Sequence, residues 1–223
     1  MDTTYAKINS KSEPFAKGFS LHKIALVFIL GSLIGTLYEE VYHIVRYGFY
    51  ENRSGVMFGP FNPIYGLGVV LMLVPLSKVK RLSSALLLGA LIGGGFEYLA
   101  SAGQEFFTGH QSWNYDGKFS SINGRTTVVY AFIWGLLGTA IAKGAYPVFS
   151  RWIEQIPKSI GKTISWILIL FMAFNMVVSY GALLRQHMRH ENIETYTVIG
   201  EYFDNYFPDS RIYESFPDME RVD

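Results

Sequence analysis

The chain has 223 residues, a net charge of +1 and no cysteine, which excludes disulfides and thiolate metal sites and leaves no electrostatic case for a nucleic-acid partner. It is 50% hydrophobic, with 17 Phe and 15 Tyr, and its mean hydropathy of +0.21 points away from an ordinary soluble domain. The apolar residues fall in blocks, so the predicted fold class is all-α integral membrane, with five transmembrane helices and a short acidic C-terminal segment.

Residues 1–20 are polar, contain no secretory signal and read as a cytoplasmic lead. Apolar blocks follow at 21–37, 64–76, 82–100, 126–142 and 164–184 within a transmembrane domain of 21–188. Each block, with its flanks, approaches the about 20 residues that a spanning helix needs. The second is short and interrupted by Pro75, so it is either a full span or partly re-entrant. Lys and Arg concentrate on the side that carries the N-terminus, residues 78–81 and residues 143–162. That asymmetry places the N-terminus in the cytoplasm and the C-terminus outside, in a multi-pass protein of the cell membrane.

GSLIGTLYE at 31–39 and GALIGGGFE at 89–97 share a Gly-x-x-x-Gly spacing, which lets membrane helices approach closely, then an aromatic residue and a glutamate. A polar loop follows each, with an arginine close to an asparagine: Asn52-Arg53 in one, Asn123-Gly124-Arg125 in the other. Matching helix starts come next, IYGLG at 64–68 and IWGLLG at 133–138. The pattern predicts two tandem helix-loop-helix units, 24–77 and 82–143, forming a parallel repeat about an axis along the membrane normal. The fifth helix, 163–187, stands outside the repeat, and a tail at 189–223 follows it.

Measured along their helices, Glu39 and Glu97 lie at matching depth in the outer part of the bilayer. An ionisable side chain within the bilayer costs about 2–3 kcal/mol unless paired or hydrated. Both glutamates are therefore expected to face the bundle interior, with Arg53 and Arg125 from the loops on that side as counter-charges. Glu39 can meet either arginine. His43, on one helical face with Glu39 and Glu40, reads as an interfacial hydrogen-bonded histidine, since no second histidine lies near enough to make a metal set.

The first loop, NRSGVMFGPFNPIYGLG at 52–68, holds a GPFNP turn at a helix start, with Pro63 in the first turn. The second, at 110–125, carries Trp113, Asn114, Tyr115 and Asp116, with a turn over Tyr115-Asp116-Gly117-Lys118. It reads either as an aromatic membrane anchor or as a surface that stacks on a flat ligand. The two arginines suit an anionic headgroup or phosphate. Residues 143–162 are basic and amphipathic, fit to lie on the membrane surface or to dock a cytoplasmic partner, and the tail places a short helix between two Phe-Pro pairs.

Three blocks, NRSGVMFGPFNPIYGLG at 52–68, WNYDGKFSSINGR at 113–125 and VYAFIWGLLG at 129–138, resemble bacterial membrane proteins of the permease-like ABC-transporter type IV family. The resemblance runs from about residue 28 to 143 and takes in the closing FPDSRIYESFPDME. It implies a transport component, and it marks Glu39, Arg53, Asn62, Tyr65, Glu97, Trp113, Tyr115, Asp116, Asn123 and Arg125 as ligand-binding positions. The chain has no glutamate-alanine-alanine type coupling loop and no P-loop, so a permease would need a separate cytoplasmic ATPase, docked at 143–162 or near 78–81, or a homo-oligomer. Membrane lipids are the other expected partner; no cofactor, metal or catalytic residue is expected. Two other readings stand beside transport. One is a membrane interaction or sensor protein in which Glu/Arg pairs are structural clamps. The other is an intramembrane enzyme on a lipid-linked substrate, with Glu39 or Glu97 as general base.

Overall fold

A computed structural model describes residues 15–222, and it is built almost wholly of helices. Most of the polar lead, residues 1–14, lies outside the described residues. Helix α1 (Leu21–Tyr47) starts at Ser20, whose hydroxyl accepts from the Lys23 N–H, and stops at Gly48 in the left-handed conformation. Helix α3 (Leu82–Thr108) stops in the same way at Gly109. Each has 27 residues, about 40 Å of helix, more than enough to cross the hydrocarbon core.

Between them, α2 (Pro63–Lys78) begins with Pro63 in its first turn and Asn62 as its N-cap. At 16 residues, about 24 Å, it is shorter than a full span. Helix α4 (Val128–Ala140) passes through a π-helical turn (Ile141–Ala145) into α5 (Tyr146–Gln155), and α6 (Lys158–His190) follows after Pro157. Among the described residues four stretches are long and apolar enough to cross a membrane by themselves: α1, α3, α4 through α5, and α6. The fifth expected span, α2, is shorter, yet it leads back to the end near the start of α1, where Leu76 packs with Val27 and Ala85. Helix α2 takes in the whole expected block 64–76, with Asn62 and Pro63 beginning it and extended Val79 closing it. The expected surface segment at 143–162 is also different, because α4 does not stop before it. Pro147 has no N–H for the Lys143 carbonyl, and the Tyr146 N–H reaches back five residues to the Ile141 carbonyl, so the helix widens instead of ending.

The helices pair through glycine. A side chain at Gly31 would meet Gly66 and Val69, and one at Gly35 the Tyr65 ring, so α1 and α2 touch backbone to backbone. On the other pair, Gly89 faces Gly135 and Gly93 faces Trp134, bringing α3 against α4. One apolar core, including Val27, Met72, Leu73, Leu76, Ala85 and Ile153, fills the end near the start of α1. There Lys23, only 1% exposed, ends its chain on Glu154 and on the Ser150 hydroxyl at 2.8 Å.

At the other end the tail folds back over the bundle. Helix α7 (Val198–Tyr206), helix α8 (Asp209–Ser215, between Phe207-Pro208 and Phe216-Pro217) and strand β4 (Glu220–Arg221) pack against α6 and the loops. Strand β4 pairs antiparallel with β1 (His110–Gln111), just beyond α3. Arg185 grips both oxygens of Asp204, at 2.9 and 2.8 Å, and Arg189 bridges Asp204 to Asp209.

The Arg185 hydrogen bond, opposed by burial and aided by Arg189, holds the Asp204 carboxyl below its ordinary value of 3.8. A carboxyl held down in the folded state adds stability that is complete above the ordinary value and is lost as pH falls through the lower, folded one. The tail is therefore expected to stay docked at neutral pH and to loosen below pH 3.8, with amide hydrogen exchange across α7 and α8 rising there. Arg185→Gln should give that rise at neutral pH.

Candidate functional site

The first loop, residues 49–62, bends back into the bundle rather than lying over it. Val56 is 1% exposed, and the loop's peptide groups are satisfied by α6: Asn175 accepts from the Phe58 N–H at 3.1 Å and donates to the Phe58 carbonyl at 2.6 Å, while the Ser179 hydroxyl accepts from the Met57 N–H at 2.8 Å. The Asn62 N–H closes the loop on the Ser32 carbonyl at 3.1 Å. Its side chain accepts from the Ile64 N–H and donates to the Arg53 carbonyl, so Asn62 holds the backbone around Arg53 and starts α2. One turn of α2 later, Tyr65 lies against Gly35 beside Glu39, whose carboxylate acts on its hydroxyl.

The second loop is a small folded unit. Asn123 and Gly124 take left-handed φ of 51° and 68° between strands β2 (Ser121–Ile122) and β3 (Thr126–Thr127), the Asn-Gly hairpin device. The Tyr115 carbonyl accepts from the Lys118 N–H at 3.0 Å, with Gly117 at positive φ, and Trp113 Nε1 donates to the Arg125 carbonyl at 2.9 Å. These bonds aim the Tyr115 hydroxyl at Glu97 Oε1, 3.0 Å away, while Thr126 donates to Glu97 Oε2 at 2.6 Å. Burial first, then the charge and hydrogen bond of Glu97, push the Tyr115 phenol above its ordinary range, with Glu39 adding to the shift. Tyr115 therefore remains a donor, and both glutamates act on it.

Between the two loops and the helices lies a cavity of about 1290 Å³. Glu39, Arg53, Asn62, Tyr65, Glu97, Trp113 and Tyr115 line its polar end, and the tail reaches it through Phe216, Pro217, Asp218 and Met219. Away from that end the wall is apolar, through Val27, Leu30, Met72, Leu73 and Ile141 to Tyr146 and Phe149. Asp116, Asn123 and Arg125 do not line it. Asp116 offers its backbone N–H to Asn114, Asn123 donates to the Tyr98 hydroxyl at 3.0 Å, and Arg125 sits outside the cavity on Glu105 at 2.6 Å and Ser101 at 3.3 Å.

The expected counter-charges are thus differently placed. Arg53 pairs with Asp218 of the tail and with Glu51 at 3.3 Å, and its buried Nε has no hydrogen-bond partner among the described residues. Neither Glu39 nor Glu97 forms an ion pair among the described residues. The long guanidiniums reach the more exposed carboxylates of Glu51, Asp218 and Glu105, and short hydroxyls are left to serve buried Glu97. Glu51 also bridges to His43 at 3.1 Å, and His43 Nδ1 lies 3.2 Å from the Phe49 carbonyl. Among the described residues no group of three or more His, Cys, Asp and Glu could hold a metal ion. Sequence reasoning missed Asp218, Thr126 and the α6 residues Asn175 and Ser179; the last two carried a signal, being polar residues four apart in an apolar span.

A helical bundle with four apolar stretches of spanning length among the described residues, around a cavity with one polar end, defines a polytopic membrane protein. Residues 26–180 match the family model described as Putative ABC-transporter type IV, and the chain belongs to that family. No curated protein and no solved structure matches the chain.

Removing the Asn175 amide strands a peptide N–H and a carbonyl at Phe58. Asn175→Leu is expected to cost about 1–3 kcal/mol for each orphaned group, read as a lowered unfolding midpoint, and to open residues 52–62 to protease.

Proposed function

We propose that the chain is a permease-like membrane component of an ABC-type transport system, with an outward-facing site for a small polar or amphiphilic ligand. The observation that carries this reading is the single cavity at which Glu39, Arg53, Asn62, Tyr65, Glu97, Trp113 and Tyr115 meet, drawn from two loops and three helices that are far apart in sequence. Two tandem units, 24–77 and 82–143, build the site; in support, Gly31 and Gly35 meet Gly66 and Tyr65 as Gly89 and Gly93 meet Gly135 and Trp134. The end with Lys23 and Glu154 faces the cytoplasm and the tail faces outside. A separate cytoplasmic ATPase supplies the energy. Exposed Lys78, Lys80, Arg81, Arg151, Lys158 and Lys162 give it a basic surface, and Lys143 ties the π-helical turn to the end of α2 through the Val79 carbonyl. In this reading Asp116, Asn123 and Arg125 shape the second loop, and the other marked residues face the ligand.

The clamp alternative, in which Glu/Arg pairs hold the two units together, would need Arg53 or Arg125 on Glu39 or Glu97, and their partners are elsewhere. In detergent, wild-type protein is expected to gain thermal stability from a lipid extract of its own membranes. Glu39→Gln and Glu97→Gln should melt close to the unliganded wild type and lose most of that gain. If both melt early whatever is added, the glutamates are structural and the site reading falls.

A further inference from the structure

We infer that the cavity takes a single-chain amphiphile with a cationic, amine-bearing head, its head between Glu39 and Glu97 and its chain along the apolar wall. This rests on the cavity reading above and adds the sign of the ligand's charge, opposite to what two loop arginines suggest in sequence. The charged residues lining the cavity are Glu39, Arg53, Glu97 and Asp218, and the arginine and the aspartate are paired with each other. Two carboxylates remain. Tyr115 and Thr126 hydrogen-bond Glu97 but bring no charge, and neither glutamate has a cation among the described residues. An ammonium group supplies what is missing, whereas an anion would add a third negative charge where solvent screening is weak. Arg53 already holds two carboxylates, Asp218 and Glu51, through Nη1.

The rest of the wall agrees. Tyr65, Trp113, Tyr115, Tyr130 and Trp134 line the cavity, with Tyr115 and Tyr130 stacked at 4.7 Å, and aromatic faces attract cations, quaternary ammonium included. From Glu39 back to Val27 is twelve residues of α1, about 18 Å, all along an apolar wall. That is close to one leaflet of a hydrocarbon core about 30 Å thick, so a single extended chain fits with its head at the carboxylates.

The test uses the full chain in lipid nanodiscs, titrated below their micelle concentrations with three dodecyl probes: trimethylammonium, phosphocholine and sulfate. Tryptophan fluorescence reports occupancy, because Trp113 and Trp134 line the cavity. The trimethylammonium probe is expected to bind saturably and at least about tenfold more tightly than the sulfate, and Glu39→Gln should weaken it by about tenfold or more. Glu97→Gln should do the same; if that variant unfolds, Glu39→Gln, at a half-buried position, decides. Equal or tighter binding of the sulfate or the phosphocholine, or unchanged binding of the cation in Glu39→Gln, overturns the inference while leaving a ligand cavity in place. If none of the three probes binds saturably, the cavity reading itself fails.

Discussion

A peptide group buried in a bundle has no water to turn to, and residues 54–62 enter the bundle without helical hydrogen bonds of their own. The Asn175 amide answers both groups of Phe58, Ser179 answers Met57, and the Ser32 carbonyl answers Asn62. The polar end of the cavity depends on that anchorage. With the loop held, Asn62 caps α2 where it can also hold the Arg53 carbonyl, and Tyr65 falls against Gly35 next to Glu39. Helix α6, which has no counterpart in the expected repeat, is therefore the element that sets the first loop in place.

Charge placement follows from reach. Glu97, Ser101 and Glu105 share one face of α3, and Arg125 extends past the deepest of them to Ser101 and Glu105. The next residue, Thr126, gives its hydroxyl to Glu97. Arg53 likewise turns to Glu51 and to Asp218 of the tail. Each arginine thus finds a more exposed carboxylate, and the two glutamates at the cavity keep neutral donors beside them. The same Arg53–Asp218 contact, with Asn52 donating to the Glu214 carbonyl and β4 paired to β1, ties the tail against the polar end of the cavity.

Much of this was legible where local chemistry decides the outcome. Glycines spaced four apart foretold close helix pairs, Pro63 marked the start of α2, and the turn at Tyr115–Lys118 followed from Gly117. Glu39 and Glu97, the glutamates that follow the two glycine pairs, both line the cavity. What was not legible depends on contacts between distant segments. Lys143, Arg151 and Pro157 mimic a loop, and only the five-residue reach of the Tyr146 N–H shows that the helix runs on past Pro147. Nothing near Arg53 in sequence signals Asp218, because that pair exists only once the tail has folded back.

The account turns on a cavity open to a ligand, and the cysteine-free chain allows a direct probe of it. Gly103 lines the cavity and a side chain there would meet nothing within 4 Å, so Gly103→Cys places a lone thiol in that space without disturbing its walls. The rate of its modification by a small water-soluble thiol reagent is the measurement. A reactive thiol that dodecyltrimethylammonium protects is the predicted result; a thiol that is unreactive, or equally reactive with the amphiphile present, would contradict it.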